Sequence, residues 1–387
     1  MAELALLGGP RTIDKERAGS WKEPAVSEAA IETVVDMIRR GEISRSPSVD
    51  AFEERFSAYI GVDHAVAVNT GTGALASAYF AAGIGPGDEV ILPSYTFWAS
   101  AGPIRQLGAT AVFCDVERDT MNIDPEDVKK RVTDRTKAIV PVDCWGVPAD
   151  MDAILEIAKA HNLVVIDDAS HAHGATWRDR KVGAWGDIAC FSLQASKLLP
   201  AGEGGVMVTD NREYYERAIA FGRSTEIRDL PDDSPMQPFT LTGFGSKLRP
   251  SPLAIAIAND GLDRLDERNQ SIWENARYLE DGLSDLSCVG IQTVDDRAYR
   301  TYAYHYFSYD ETRLEGVSLD TVVEALAAEG VRMGRIGFGF LHEAPVFFEE
   351  GLYGRDHQDW RPSPRERLPV TEYLRDHTFM GAPRFEK

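Results

Sequence analysis

The feature that most limits what this chain can fold into is a recurring alternation of short apolar runs and helical stretches. Ala65–Val68, Glu89–Leu92, Ala111–Val116, Ala138–Val142, Leu163–Ile166 and Ile188–Leu193 are short and rich in β-branched residues, as strands buried on both faces are. Helical patterns fall between them. Ile123–Val132 opens on Asp124-Pro125 and Ala149–Ala160 on Pro148-Ala149-Asp150, both helix-start signals. This rhythm predicts an α/β fold: a mostly parallel sheet with helices on both faces. In open sheets of this kind, ligand chemistry collects at the carboxyl ends of the strands.

Other segments frame that core. Ser27–Gly41 reads as an amphipathic helix capped by Ser27 and stopped by Gly41, and Val49–Ile60 as a second helix. Gly222–Gly245 is a long loop with three prolines, and loops of that length in compact domains are usually functional. Pro252–Leu286 is predicted as one long helix. Val289–Thr293 and Ala303–Tyr309 read as strands and Leu319–Glu329 as a helix ending at Gly330. The boundaries expected are a large domain over residues 1–250 and, over 251–387, the long helix with a smaller domain.

Composition narrows the function. The chain has 387 residues and a net charge of −21, from 41 Lys+Arg against 62 Asp+Glu. Such acidity argues against nucleic acid as a partner. Cys114, Cys144, Cys190 and Cys288 are scattered, with no C-x-x-C pair, so they predict reduced thiols in a cytoplasmic protein. No apolar run approaches a membrane span, and Leu4–Leu7 is too short for a signal sequence.

The stretch Leu163–Gly205 carries the chemistry. Its first strand ends in Asp167-Asp168, and its second leads into Gln194-Ala195-Ser196-Lys197. A Schiff-base lysine must spend time as a neutral amine. A pyridine ring acting as an electron sink needs a carboxylate to keep its nitrogen protonated. Asp168 and Lys197 satisfy both demands. Taken alone, they read better as a strand-end acid with a helix cap and an exposed loop lysine. Asp167, Asp168, His171 and His173 would suit a metal, but their spacing fits no familiar zinc signature. Upstream, Gly71-Thr72-Gly73-Ala74-Leu75-Ala76 follows a strand and matches a dinucleotide fingerprint. The acid expected at the end of the next strand is missing there, which weakens a nicotinamide oxidoreductase reading.

Together, Asp168-Ala169-Ser170-His171-Ala172-His173-Gly174, Phe191–Lys197 and Ala201-Gly202-Glu203-Gly204-Gly205 resemble the DegT/DnrJ/EryC1/StrS family of sugar and aminocyclitol aminotransferases, from about Leu4 to the chain end. The resemblance implies a fold-type I enzyme dependent on pyridoxal 5′-phosphate (PLP), with a mostly parallel seven-stranded sheet and a smaller α+β C-terminal domain. It implies ping-pong transfer of an amino group from glutamate or glutamine to a keto-sugar or keto-cyclitol, through a Schiff base on Lys197. Asp168 would hold the ring nitrogen and His171 the phenolic oxygen. Gly71, Thr72 and Ser192 would hold the phosphate, and Phe97 would stack on the ring. Without the resemblance, Phe97 reads as core at the start of a helix Phe97–Leu107.

The resemblance also implies a homodimer with shared sites, the loop Gly222–Gly245 crossing to the neighbour. Lys247 stands where the family usually has an asparagine that reaches the neighbour's phosphate, and by itself reads as a solvated surface charge. Asp143 stands where many relatives have histidine. His305 and His342 match pocket histidines of relatives, although a structural role suits each better. The tail Leu368–Lys387 lacks the family's closing helix. Some relatives are dehydratases with histidine in place of the lysine, which Lys197 argues against. Another makes 3-amino-5-hydroxybenzoate, and its motif is close to the stretch Asp168–Gly174. A non-catalytic relative is the remaining alternative, against which the Lys197/Asp168 pair speaks.

Overall fold

A computed structural model describes residues 3–13, 26–335, 339–354 and 356–381. Its centre is a seven-stranded sheet: β1 (His64–Val68), β2 (Glu89–Pro93), β3 (Thr110–Cys114), β4 (Thr136–Ile139), β5 (Val164–Asp168), β6 (Ile188–Ser192) and β7 (Gly205–Thr209), in the order β1-β7-β6-β5-β4-β2-β3. All pairings are parallel except those of β7, which runs against β6 and β1. The predicted mostly parallel sheet is therefore present. The ends of β1, β5 and β6 and the start of β7 share one edge, because Val68 and Ser192 both pair with Gly205.

Every residue of β2, β3, β6 and β7 is buried. Helices on both faces cause this, and they explain why the strands read as continuous apolar runs. On one face the helix Pro47–Ile60 inserts Phe52 and Phe56, both fully buried, and Phe56 meets Phe191 of β6 edge-on at 5.2 Å. Burying each such ring contributes about 2–3 kcal/mol. The residue after Phe191 is Ser192, so this packing also fixes a strand end that matters below.

The helix Glu28–Arg40 is capped as predicted: Ser27 Oγ accepts the Ala30 N–H at 3.0 Å, and Gly41 closes the helix at φ 74°. The predicted long helix is two helices, Pro252–Leu262 and Leu265–Leu283. Arg264 leaves helical geometry at φ −111°, ψ 1°, which lets both Leu262 and Leu265 turn into the core. The smaller unit is an antiparallel sheet, in the order Val289–Ile291, His305–Tyr309, Thr378–Gly381, Met333–Gly334, backed by the helix Leu319–Glu329. The tail departs from expectation. It forms a helix, Pro369–His377, and then a strand that pairs with both His305–Ser308 and Met333–Gly334. Proline at the first helical position and buried Thr371 and Leu374 account for it.

Candidate active site

A cleft of ≈ 650 Å³ opens at the shared strand edge. Asp168 ends β5 and Ser192 ends β6; the strands are neighbours, with Asp168 opposite Cys190. The chain leaving β6 brings Lys197 back into the same cleft, and His171 enters from the turn after β5. Gly71 and Thr72 start the helix Gly71–Ala81, whose cap is Thr70: its Oγ1 accepts the Gly73 N–H at 2.9 Å. The first N–H groups of a helix have no intrahelical acceptor, so this end is suited to an anion. Gly205 permits the loop to come so close: a Cβ there would stand 2.3 Å from Thr70 O.

Asp168 is 5% exposed and held at both oxygens. Ser100 Oγ donates to Oδ2 at 2.6 Å, and Ser170 Oγ donates to Oδ1 at 2.6 Å. Thr96 in turn meets Ser100 at 2.8 Å. These hydroxyls fix the orientation of the carboxylate. The predicted helix Phe97–Leu107 is interrupted: a 3₁₀ turn at Trp98–Ser100 precedes a short helix, Gly102–Gln106, with Ala101 at φ −108° between them. That break aims Ser100 at Asp168. Phe97 is 46% exposed and lines the cleft, so it is not core.

His171 lies flat against Trp145, with centroids 5.1 Å apart and planes at 15°, and Tyr304 meets both rings edge-on. Burial, and then the Lys197 charge, push the His171 imidazole well below its usual range, so it is neutral. Trp145 has a left-handed backbone, φ 59°, an uncommon state for a bulky residue. Sequence reasoning did not assign Trp145, Tyr304, Ser100, Ser170 or Glu203, all of which line the cleft. Asp143-Cys144-Trp145-Gly146 at a strand end was the available signal for Trp145. Tyr304 had none, since it arrives from beyond the long helices.

Lys197, Gly71, Thr72, Phe97, Asp168, His171 and Ser192 are thus brought together, and Lys247 is not: it is exposed and outside the cleft of its own chain. His173 and His305 are buried away from the cleft. His342 clasps Ser94 through Nδ1 and Oγ at 2.6 Å. No group of three or more His, Cys, Asp or Glu among the described residues could hold a metal ion.

The family model for DegT/DnrJ/EryC1/StrS aminotransferases matches residues 24–375. The chain belongs to that family. It is 35% identical to the L-glutamine:scyllo-inosose aminotransferase of Streptomyces griseus over 340 residues, covering 85% of this chain and 79% of the relative. It is 38% identical to the GDP-perosamine synthase of Caulobacter vibrioides over 298 residues, covering 76% and 77%. The crystal structure of 3-amino-5-hydroxybenzoic acid synthase superposes with a TM-score of 0.82 at 31% identity, covering 94% of this chain and 92% of that one. Family members with solved structures of this kind are fold-type I enzymes, and the sheet described above is theirs. Membership sets aside the dinucleotide reading of the Gly71–Ala76 loop.

Proposed function

We propose that this aminotransferase uses PLP, and that it moves an amino group from glutamate or glutamine to the ketone of a sugar or cyclitol. The observation that carries the reading is the convergence of Lys197 and Asp168, from the ends of adjacent strands, on one cleft. The donor set fits the cofactor. A carboxylate steadied by two hydroxyls suits a protonated ring nitrogen, and a glycine-bearing helix start beside Ser192 suits a phosphate. When bound, PLP supplies an electron sink for the negative charge left at the donor's α-carbon.

The chain's own residues do the rest. Asp168 holds the proton on the ring nitrogen. Lys197 Nζ would take the proton from the donor's α-carbon as general base and, as general acid, deliver it to the cofactor's carbonyl carbon. Gly71 and Thr72 N–H groups and Ser192 Oγ bind the phosphate. His171, neutral and braced by Trp145, is a hydrogen-bond partner for the phenolic oxygen, and Phe97 covers the ring. Lys197, Asp168, Gly71, Thr72, Phe97, His171 and Ser192 are the residues assigned.

A homodimer completes the site in this reading. Exposed Phe239, Leu241 and Phe244 lie in the Gly222–Gly245 loop, while Phe97 and Trp98 are exposed at the cleft mouth. Paired copies would cover such apolar groups. Lys247, on the same segment, is assigned as a point charge toward the neighbour's phosphate. Among the described residues no helix is long and apolar enough to cross a membrane, and the scattered free cysteines suit a reducing compartment. We therefore place the protein in the cytoplasm.

The names of two relatives, a scyllo-inosose aminotransferase and GDP-perosamine synthase, set the acceptor panel. PLP-reconstituted protein is first converted with glutamate or glutamine. It is then offered inososes and nucleotide-linked or free keto-sugars, and amino product is measured. No amino transfer to any ketone would overturn the reading. A second reading, dehydration and aromatisation of an aminoshikimate, is favoured by the match to 3-amino-5-hydroxybenzoic acid synthase. Formation of an aromatic product, with no ketone consumed, would establish it instead.

A further inference from the structure

Asp167 and Asp168 are successive residues of β5, so their side chains leave opposite faces of the sheet. Asp168 lines the cleft. Asp167 and Asp143 are each 1% exposed and lie behind it. Val142 bridges Asp168 on the adjoining strand, so Asp143 and Asp167, one step along on each strand, turn to the same rear face. Asp143 Oδ2 and Asp167 Oδ1 are both buried without a hydrogen-bond partner. Two ionised carboxylates could not satisfy each other, because both would be acceptors, whereas one shared proton would serve both oxygens. The other Asp143 oxygen, Oδ1, accepts the Ala149 N–H at 2.8 Å.

The groups that act on the pair from neighbouring elements are Asp168 on the same strand, Cys144 in the turn and Cys190 on β6. None is a cation. Burial first, and then acid–acid repulsion, raise Asp143 well above the usual carboxylate range; burial chiefly raises Asp167 as well.

Asp143 opens the turn that carries Trp145. The turn is left-handed at Trp145 and at Gly146, φ 95°. A Cβ on Gly146 would stand 1.9 Å from Thr301 O, and the Thr301 N–H donates to Gly146 O at 3.0 Å. Asn122 braces the turn from the other side, accepting the Cys144 N–H at 3.0 Å and donating to Val147 O and Pro148 O. The purpose visible in the cleft is the Trp145 ring, laid flat on His171.

We propose that Asp143 and Asp167 share a single proton, and that this carboxyl–carboxylate link is a positioning device holding the Asp143–Val147 turn, and with it Trp145, against His171. Losing the proton places two like charges side by side, without water, and pushes Asp143 off Asp167. Raising the pH therefore loosens the turn from behind.

The test uses the full chain as purified, so its outcome is separable from the aminotransferase reading. Asp143→Asn and Asp167→Asn each replace the shared proton with an amide N–H. Melting temperature is followed from pH 5 to 8.5, together with tryptophan fluorescence and its loss in Trp145→Phe. The expected result is that wild-type Tm falls with rising pH by roughly 2–3 °C more than either amide variant. A fluorescence titration over the same range should be present in the wild type and absent from Trp145→Phe and Asp143→Asn. Asp143→Ala should lose the brace and Asp143→Asn restore it. Parallel Tm curves for wild type and Asp143→Asn would overturn the proposal. So would a fluorescence titration that survives in Trp145→Phe. If both amide variants fail to fold, an N–H does not substitute for the shared proton and the proposal also falls.

Discussion

The two sides of the β5 end use the same residue type for opposite ends. On the cleft side, Asp168 meets two hydroxyl donors, Ser100 and Ser170. On the reverse side, Asp167 shares a buried face with another acid, Asp143. Burial is nearly equal, 5% against 1%. What separates them is the partner. Hydroxyl donors orient a carboxylate, whereas a second carboxyl can be met only by a retained proton. One side presents an oriented acceptor to a ligand and the other is closed off behind the sheet.

Substitutions should break that comparison in a graded way. The largest effect belongs to Lys197→Ala: turnover falls by about 10⁴-fold, and the visible absorbance gained on adding PLP disappears, while Tm is held. Asp168→Asn should reduce kcat/KM by about a hundredfold, the equivalent of one hydrogen bond to a charged group. Asp167→Asn, one residue away, should cost less than about tenfold in the same assay. Equal losses from the two would erase the distinction between the faces. Ser170→Ala and Ser100→Ala should each lower kcat/KM by about tenfold, read with saturating PLP, and their Tm values should stay near wild type.

The smallest effect is on stability against pH. Asp143 and Asp167 have folded-state affinities for protons above those of the unfolded chain, Asp167 being raised to about 7. The native state then binds more protons than the unfolded one between the ordinary carboxylate range and about pH 7, so stability declines as pH rises through that window. The stability they contribute is fully present below the unfolded range. Denaturation midpoints at pH 5 and pH 8 measure the difference, and a midpoint higher at pH 8 would reverse the sign.

Much of the frame was legible because strands buried on both faces announce themselves as apolar runs. β5 and β6 were read nearly to their ends, and Asp168 and Lys197 were picked out because strand ends in such sheets face ligands. The helix Leu319–Glu329 and its closing Gly330 were also plain, since caps are local chemistry. The break at Arg264 was not, because no proline marks it and the apolar pattern continues on both sides. The helix Pro369–His377 was missed because it is short and amphipathic, and it is stabilised by the small sheet it feeds. Phe97 read as core without the family likeness because an aromatic residue just after a strand gives no sign of which way it faces; the structure leaves it 46% exposed.

The amino-acid order by itself determined the alternation of strands and helices, their caps, and the acid and amine placed at strand ends. All of these depend on neighbours a few residues away. Only the tertiary structure decided which hydroxyls reach Asp168, that Trp145 and Tyr304 enclose His171, and that Asp143 finds Asp167. Those contacts join distant segments through packing of the sheet and its helices, and a side chain's partner across a fold is set by that packing rather than by its own chemistry.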